Sequence, residues 1–114
     1  MINMKEIVTE LGLKVVSGEA DGPVSGGYSS DLLSDVIAYA QKDNVWITLQ
    51  THINIVAVAN LKELSGIILV NGRQPEDATL KKAIQENISI MISNMSTFEI
   101  IGRLYSLGIR GNNK

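Results

Sequence analysis

The chain of 114 residues has no cysteine, one histidine, two prolines and only 4% aromatic residues. Without cysteine it can form no disulfide framework and no site in which thiolates hold zinc or an iron–sulfur cluster. A single histidine cannot complete a zinc site of the usual kind either. The sequence therefore indicates no metal and no other cofactor.

Positive charge is not in excess, since ten Lys and Arg stand against twelve Asp and Glu and the formal net charge is −2. The basic residues are scattered, whereas nucleic-acid-binding surfaces concentrate them on one face. The apolar run at 53–59 is much shorter than the roughly 20 residues of a membrane span. The first residues lack the basic and apolar regions of a signal peptide. We expect a cytoplasmic protein with no nucleic-acid or membrane partner.

Hydrophobic residues make up 45% of the chain. With so few aromatics, Ile, Leu and Val supply most of the core, which is typical of an α/β domain with a buried sheet and excludes a disordered chain. A chain of this length forms one domain. We predict a single domain over residues 1–114, with a core at about 4–109 and a frayed tail at 110–114.

The apolar spacing alternates between helical and strand-like segments. A glycine-rich stretch at 17–27 is predicted to be loop, with at most a short strand around Val24. From Val45 onward the order strand–helix occurs three times, which predicts a mostly parallel sheet of about four to five strands with helices on both faces. Predicted helices cover 4–11, 32–40, 53–64, 75–87 and 96–108, and predicted strands cover 13–16, 45–49, 67–70 and 88–92.

Some segments allow more detailed predictions. The apolar stretch 53–64 fits a strand or a helix, but its two alanines and Thr51 as a cap favour a helix, and any outward part of it forms an apolar interface patch. Ser29, Ser30 and Asp31 form an N-cap cluster before the second helix, and Ser96 with Glu99 forms a capping box for the last one. The residues predicted to face inward in the last two helices are Leu80, Ala83, Ile84, Phe98, Ile101, Leu104 and Tyr105.

In open α/β sheets, ligands bind beyond the carboxyl ends of the strands, where helix N-termini favour anions. Four segments are predicted to meet there, so the candidate ligand is a small anionic metabolite or nucleotide. The alternative is that the edge binds nothing, as in many α/β domains. The candidate ligand-binding residues are Ser25, Gly26, Gly27, Thr51, His52, Gly72, Arg73, Gln74, Ser93, Ser96 and Thr97.

Signals for catalysis are weak. His52 is a candidate general base only if the fold brings Asp31, Asp35 or Glu99 close to it, and it is otherwise a structural residue. Arg73, on a predicted exposed turn, is the best candidate for binding a carboxylate or phosphate. No Walker signature, G-x-G-x-x-G motif or G-x-S-x-G nucleophile elbow occurs. Gly26 and Gly27 fit a tight turn, or a place where backbone approaches a ligand closely.

Five segments together resemble the DRTGG-domain family over nearly the whole chain, from about 4 to 109. They are 23–28 (PVSGGY), 46–48 (WIT), 51–59 (THINIVAVA), 66–69 (GIIL) and 72–75 (GRQP). The same domain is similar to the amino-terminal part of bacterial HPr kinase/phosphorylase, and it occurs in some phosphotransacetylases and in pyrophosphatases with regulatory CBS domains. The chain departs from the family's Asp-Arg-Thr-Gly-Gly, because residues 23–25 are Pro, Val and Ser.

The resemblance implies a three-layer α/β/α fold, self-association, and a regulatory or assembly role in place of catalysis. We therefore expect a non-catalytic module that forms a homodimer and binds a small anionic metabolite or nucleotide. Two alternatives remain open. One is a partner subunit of a redox or signalling complex, and the other is a small enzyme acting on a phosphorylated or acyl substrate through His52 and Arg73.

Overall fold

The computed structural model describes residues 2–112, which form five helices and five strands. The helices are α1 (Met4–Leu11), α2 (Leu33–Tyr39), α3 (Asn54–Lys62), α4 (Asp77–Glu86) and α5 (Thr97–Ser106). The strands are β1 (Lys14–Ser17), β2 (Gly26–Ser29), β3 (Asn44–Thr48), β4 (Gly66–Leu69) and β5 (Ile90–Ile92). None of these helices is long and apolar enough to cross a membrane, within the residues described.

The strands form one sheet in the order β1-β5-β4-β3-β2. Strands β2 to β5 are parallel to one another, and β1 pairs antiparallel with β5. The predicted α/β fold with a mostly parallel sheet is thus confirmed, including the upper limit of five strands.

The helices cover both faces of the sheet, which gives the three predicted layers. On one face, α2, α3 and α4 bury Val36, Val56 and Ala83 against Trp46 and Ile67. On the other face, α1 and α5 bury residues against the opposite sides of β3, β4 and β5. The apolar residues of that second layer include Met4, Ile7, Ile100 and Leu104 on the helices, and Val45, Ile47, Ile68 and Met91 on the strands.

The parallel strands are wound in one direction only. Each step from β2 to β3, β4 and β5 moves to the next neighbour, and the three connecting helices lie on the same face, as right-handed crossovers require. The order of these four strands never reverses. The sheet therefore lacks, among the described strands, the reversal at which doubly wound folds open a ligand crevice.

Strand β2 is the main error of the sequence prediction. Residues up to 27 are predicted to be loop, yet Gly26 and Gly27 open a strand that pairs with β3. Neither glycine has a positive φ, so the tight-turn interpretation is wrong. Close approach is the reason for Gly26, because a Cβ there would lie 2.7 Å from the carbonyl oxygen of Arg110. The backbone that approaches is the chain's own C-terminal segment.

That C-terminal segment lies against the outer edge of β2. The N–H of Gly27 donates to the carbonyl of Arg110 at 2.9 Å. The Asn112 amide donates to Asn44 Oδ1 at 2.7 Å and to the carbonyl of Tyr39 at 3.2 Å. The predicted frayed tail thus includes residues with defined hydrogen bonds, and residues 113–114 lie outside the described range.

The inward faces of α4 and α5 differ from the prediction. In α4, Ala83 is buried as predicted and Leu80 is partly buried, but Ile84 is exposed. In α5, Leu104 is buried together with Ile100, whereas Phe98, Ile101 and Tyr105 are exposed. Both α5 sets have helical spacing, so periodicity alone cannot tell which set meets the sheet.

Capping also differs in part. Helix α2 begins at Leu33 with Leu32 at the N-cap position and no side-chain cap, so the predicted Ser29–Asp31 cluster does not cap it. The hydroxyl of Ser96 accepts from the N–H of Glu99 at 3.3 Å, which confirms that cap, although the Glu99 carboxylate does not complete a capping box. A full capping box is present at α1, between Asn3 and Glu6.

Candidate functional site

The strands β2 to β5 end at one side of the sheet, the carboxyl edge, formed by the loops 30–32, 49–53, 70–76 and 93–96. Eight of the eleven predicted site residues lie in these loops or at the first residue that follows: Thr51, His52, Gly72, Arg73, Gln74, Ser93, Ser96 and Thr97. The placement of Ser25, Gly26 and Gly27 at this edge is wrong. Because β2 begins at Gly26, which pairs with the first residue of β3, these three lie at the opposite, amino edge.

Asp31 organises the first part of the carboxyl edge. Its Oδ1 accepts from the Thr48 hydroxyl at 2.9 Å and from the Leu49 N–H at 2.8 Å. The Gln50 amide donates to the Asp31 carbonyl at 2.7 Å. The loop after β2 is therefore fastened to the end of β3. The sequence predicts Asp31 as part of a helix cap or as a partner of His52, and no local motif indicates the contact across the sheet.

His52 has a carboxylate partner, but not one of the three predicted. Its Nδ1 lies 2.9 Å from Glu76 Oε2, with both side chains exposed. Backbone bonds explain the proximity, because the N–H of Glu76 and the hydroxyl of Thr79 both donate to the carbonyl of Thr51. Glu76 occupies the N-cap position of α4, and no local motif in the sequence links it to His52.

Arg73 lies on a tight turn after β4. Asn71 and Gly72 have φ of 56° and 67°, and the Arg73 N–H donates to the carbonyl of Val70. A Cβ at Gly72 would lie 2.9 Å from Asn94 Oδ1, so glycine suits both the backbone and the space there. Among residues 2–112, the exposed Arg73 guanidinium makes no hydrogen bond or ion pair.

The serines after β5 hold their own turn. Ser93 Oγ accepts from the N–H of Met95 at 3.0 Å, and Ser96 Oγ caps α5. The turn is tied to the loop after β4, because the N–H of Gly72 donates to the carbonyl of Ser93 at 2.8 Å. These two loops therefore form one hydrogen-bonded unit that carries Arg73.

Residues 2–112 contain no group of three or more His, Cys, Asp or Glu side chains placed to hold a metal ion. Two surface depressions instead flank β2, away from the carboxyl-edge loops. One, of about 290 Å³, lies between β2 and α5, and the other, of about 730 Å³, lies between β2 and α2.

Tyr28, beside these depressions, has a strongly perturbed acidity. Its hydroxyl donates to Asp35 Oδ2 at 2.7 Å. This hydrogen bond, reinforced by partial burial and by the negative charge of Asp35, raises the pKa of Tyr28 from 10.0 to about 12. The folded protein thus keeps a proton that the unfolded chain loses first. Stability should therefore fall as the pH rises from about 10 to about 12.

An alkaline titration followed by tyrosinate absorbance checks this. We expect a late step near pH 12 in the wild type that is absent in Tyr28→Phe. Tyr105→Phe is the matched control and should retain the late step. A late step that survives in Tyr28→Phe would contradict the assignment.

No known family model matches the chain, and no curated protein matches it. A solved structure does resemble it: the CBS and DRTGG domains of the regulatory region of Clostridium perfringens pyrophosphatase, complexed with the activator diadenosine tetraphosphate. The TM-score is 0.70 at 14% sequence identity, over 95% of this chain and 47% of the other. The two share a fold. The chain spans about half the length of that regulatory fragment.

Proposed function

We propose that the chain is a DRTGG-type regulatory and assembly module without catalytic activity of its own. In this proposal it self-associates and binds a small anionic ligand of the nucleotide class at the carboxyl edge. The fold that it shares with the regulatory region of a pyrophosphatase supports the regulatory role, because that region was crystallised with a nucleotide activator. The observation that carries the ligand-binding part is the free guanidinium of Arg73 on an ordered turn.

The charges at the edge support an anionic ligand. Both carboxylates in the loops have partners of their own, since Asp31 accepts from Thr48 and Leu49 and Glu76 contacts His52. Arg73 is the cation left over. A guanidinium binds phosphate or carboxylate oxygens with two parallel hydrogen bonds, and a turn that is already ordered lowers the entropy cost of binding.

The start of α3 adds a second favourable feature beside His52. The helix has no acidic residue in its first turn and no side-chain cap, whereas α4 and α5 carry Asp77 and Glu99 in theirs. No acidic residue of α3 itself therefore neutralises the positive end of its dipole, and the nearby Glu76 carboxylate is paired with His52.

The hydroxyl groups at the carboxyl edge are used in structural hydrogen bonds, which fits a module proposed to have no catalytic activity. The hydroxyls of Ser93 and Ser96 accept backbone N–H groups of their own turn, and the Thr48 hydroxyl donates to Asp31. Each bond is one that stabilises a loop or a helix end. These groups therefore build the frame of the site, and the candidate recognition groups are Arg73 and His52.

Binding of ATP and diadenosine tetraphosphate, measured by native mass spectrometry and by calorimetry, tests the ligand part. We expect one adduct per subunit in the wild type. Arg73→Ala should weaken binding about tenfold, because a charge-assisted hydrogen bond contributes about 1.5 kcal/mol.

Lys81→Ala is the matched control, since it removes one exposed positive charge from α4 without touching the loops. It should bind like the wild type. Equal weakening in both variants would mean that only net charge matters, and no binding by the wild type to either nucleotide would contradict the proposed ligand class.

A further inference from the structure

The stretch 53–64, predicted to form an interface patch wherever part of it faces outward, does expose Ile53 (44%) and Leu61 (67%), two side chains eight residues apart with only the small Ala57 between them. The buried residues of α3 are Ile55, Val56, Val58 and Ala59. Its outward positions are Asn54, Ala57, Asn60 and Leu61. Helix α5 exposes a group of three large apolar side chains, since Phe98 is 89% exposed, Tyr105 57% and Ile101 40%. Their spacing places the three on one side of the helix, away from the buried Ile100 and Leu104.

We propose that α5 pairs in antiparallel fashion with α5 of a second copy of this chain, around a two-fold axis near Ile101 and Gly102. This inference rests on the self-association proposed above and assigns its surface. We call the surface formed by Phe98, Ile101, Gly102 and Tyr105 the α5 stripe.

The α5 stripe is complementary to itself. In an antiparallel pair centred between residues 101 and 102, Phe98 of one copy lies opposite Tyr105 of the other. Tyr105 and Ile101 line the 290 Å³ depression beside β2, together with Ile47 and Gly27. A cavity of about 150 Å³ already accommodates benzene, so a phenyl ring fits. Because a two-fold axis repeats every contact, each copy supplies one protruding ring and one receiving depression.

Gly102 provides an independent argument. Glycine inside a helix costs about 1 kcal/mol relative to alanine. A Cβ at Gly102 would meet no atom within 4 Å, so packing within one copy does not explain this glycine. Close approach of a second helix at the centre of the α5 stripe does explain it.

The charges along α5 fit an antiparallel partner. The first turn carries Glu99 and the last turn carries Arg103. The Arg110 guanidinium lies over the Tyr105 ring, 3.8 Å from its centroid, which adds a second cation at the C-terminal end. Arg103 lies on the far side of the helix from the α5 stripe, so Arg110 is the cation that matters for a partner docked there. In an antiparallel pair Arg110 of one copy, beside Tyr105, lies near Phe98 and Glu99 in the first turn of the partner helix, whereas a parallel pair would bring the two Arg110 guanidinium groups together.

The area is that of a modest dimer. The exposed parts of Phe98, Ile101 and Tyr105 amount to roughly 350 Å² per copy, given aromatic side chains of about 200 Å². A standard interface buries about 800 Å² per partner. The rest would come from the walls of the depression and the charged rim. The dimer should therefore dissociate on dilution.

Analytical ultracentrifugation over a range of concentrations tests the interface. We expect the wild type to dimerise and Phe98→Asp to remain monomeric, with the far-ultraviolet circular dichroism unchanged because Phe98 is exposed. Leu61→Asp is the matched control, since it places the same charge on an exposed apolar residue of α3 and should still dimerise.

Cross-linking gives a second readout, in which the expected result is the formation of a dimer and not the loss of one. The chain has no cysteine. Under mild oxidation, Gly102→Cys should form a disulfide-linked dimer across the two-fold axis, whereas Leu61→Cys should not. A wild-type dimer that persists in Phe98→Asp and fails to cross-link through Gly102→Cys would overturn the α5 interface alone. A wild type that is monomeric at every concentration would overturn self-association itself. The proposed nucleotide binding would still be tested separately by the Arg73→Ala experiment.

Discussion

Trp46→Ala is expected to lower the free energy of unfolding by about 3–5 kcal/mol. Trp46, on the interior strand β3, is completely buried in the layer formed by α2, α3 and α4. Truncation leaves a cavity in a region where strands and helices are close-packed, so the surroundings can collapse only partly. Urea denaturation followed by circular dichroism measures the loss, since the variant removes the chain's only tryptophan as a fluorescence probe.

Trp46→Phe separates packing from hydrogen bonding. The indole Nε1–H donates to the carbonyl of Ser30 at 2.9 Å, immediately before Asp31. Phenylalanine keeps most of the ring volume but leaves that carbonyl without its partner, and we expect a cost of about 1–2 kcal/mol. If Trp46→Ala costs no more than Trp46→Phe, packing around the indole contributes little and the account of this layer is wrong.

The alternation of apolar segments predicted the architecture because it reports which face of each element is buried. Strands β3 and β4 are buried on both sides and appear as continuous apolar runs, as expected for central parallel strands. The ends of α1 and α4 were also predicted to within one residue, and both helices end at a residue in the left-handed conformation, Gly12 and Asn87. Apolar spacing and helix-ending residues involve residues that are close together in the chain, so a single sequence is enough to detect them.

Strand β2 and the exposed face of α5 could not be predicted, because both depend on contacts between residues that are distant in the sequence. Gly26 and Gly27 favour a loop when considered alone, and only the C-terminal segment lying against β2 explains them. The two apolar sides of α5 are equivalent until the sheet shows which side it covers. If the second side contacts another copy of the chain, both apolar sides of α5 are buried, one against the sheet and the other in the dimer.

The positions of the candidate site residues could be predicted in part, but their hydrogen-bond and ion-pair partners could not. Topology brings the ends of parallel strands to one edge, so the placement of His52, Arg73 and Ser93 followed from the order of elements. The partners did not follow, because Glu76 reaches His52 through backbone bonds to Thr51, and Asp31 crosses from one strand to the next. Those are contacts between loops whose lengths and turns the apolar pattern does not encode.

Asp31→Ala is expected to lower the free energy of unfolding by about 2 kcal/mol and to weaken ligand binding at the same edge. The substitution removes the acceptor for the Leu49 N–H and for the hydroxyl of the buried Thr48. Hydrogen bonds to a charged group contribute about 1.5–3 kcal/mol, and solvent screening of the exposed Asp31 keeps the sum near the lower end. Loosening the loop after β2 should also misplace the end of β3, beside Thr51 and His52.

Asp31→Asn separates the geometry of this loop from its charge. The amide oxygen can still accept both bonds, so the loss of stability should stay below about 1 kcal/mol. Removing a negative charge from the edge should at the same time strengthen the binding of ATP, because a bound phosphate no longer faces that carboxylate. Chemical denaturation and calorimetry on the two variants report the two effects separately. Equal destabilisation by alanine and asparagine would show that Asp31 acts through its charge, and ATP binding weakened in Asp31→Asn would contradict an anion site at this edge.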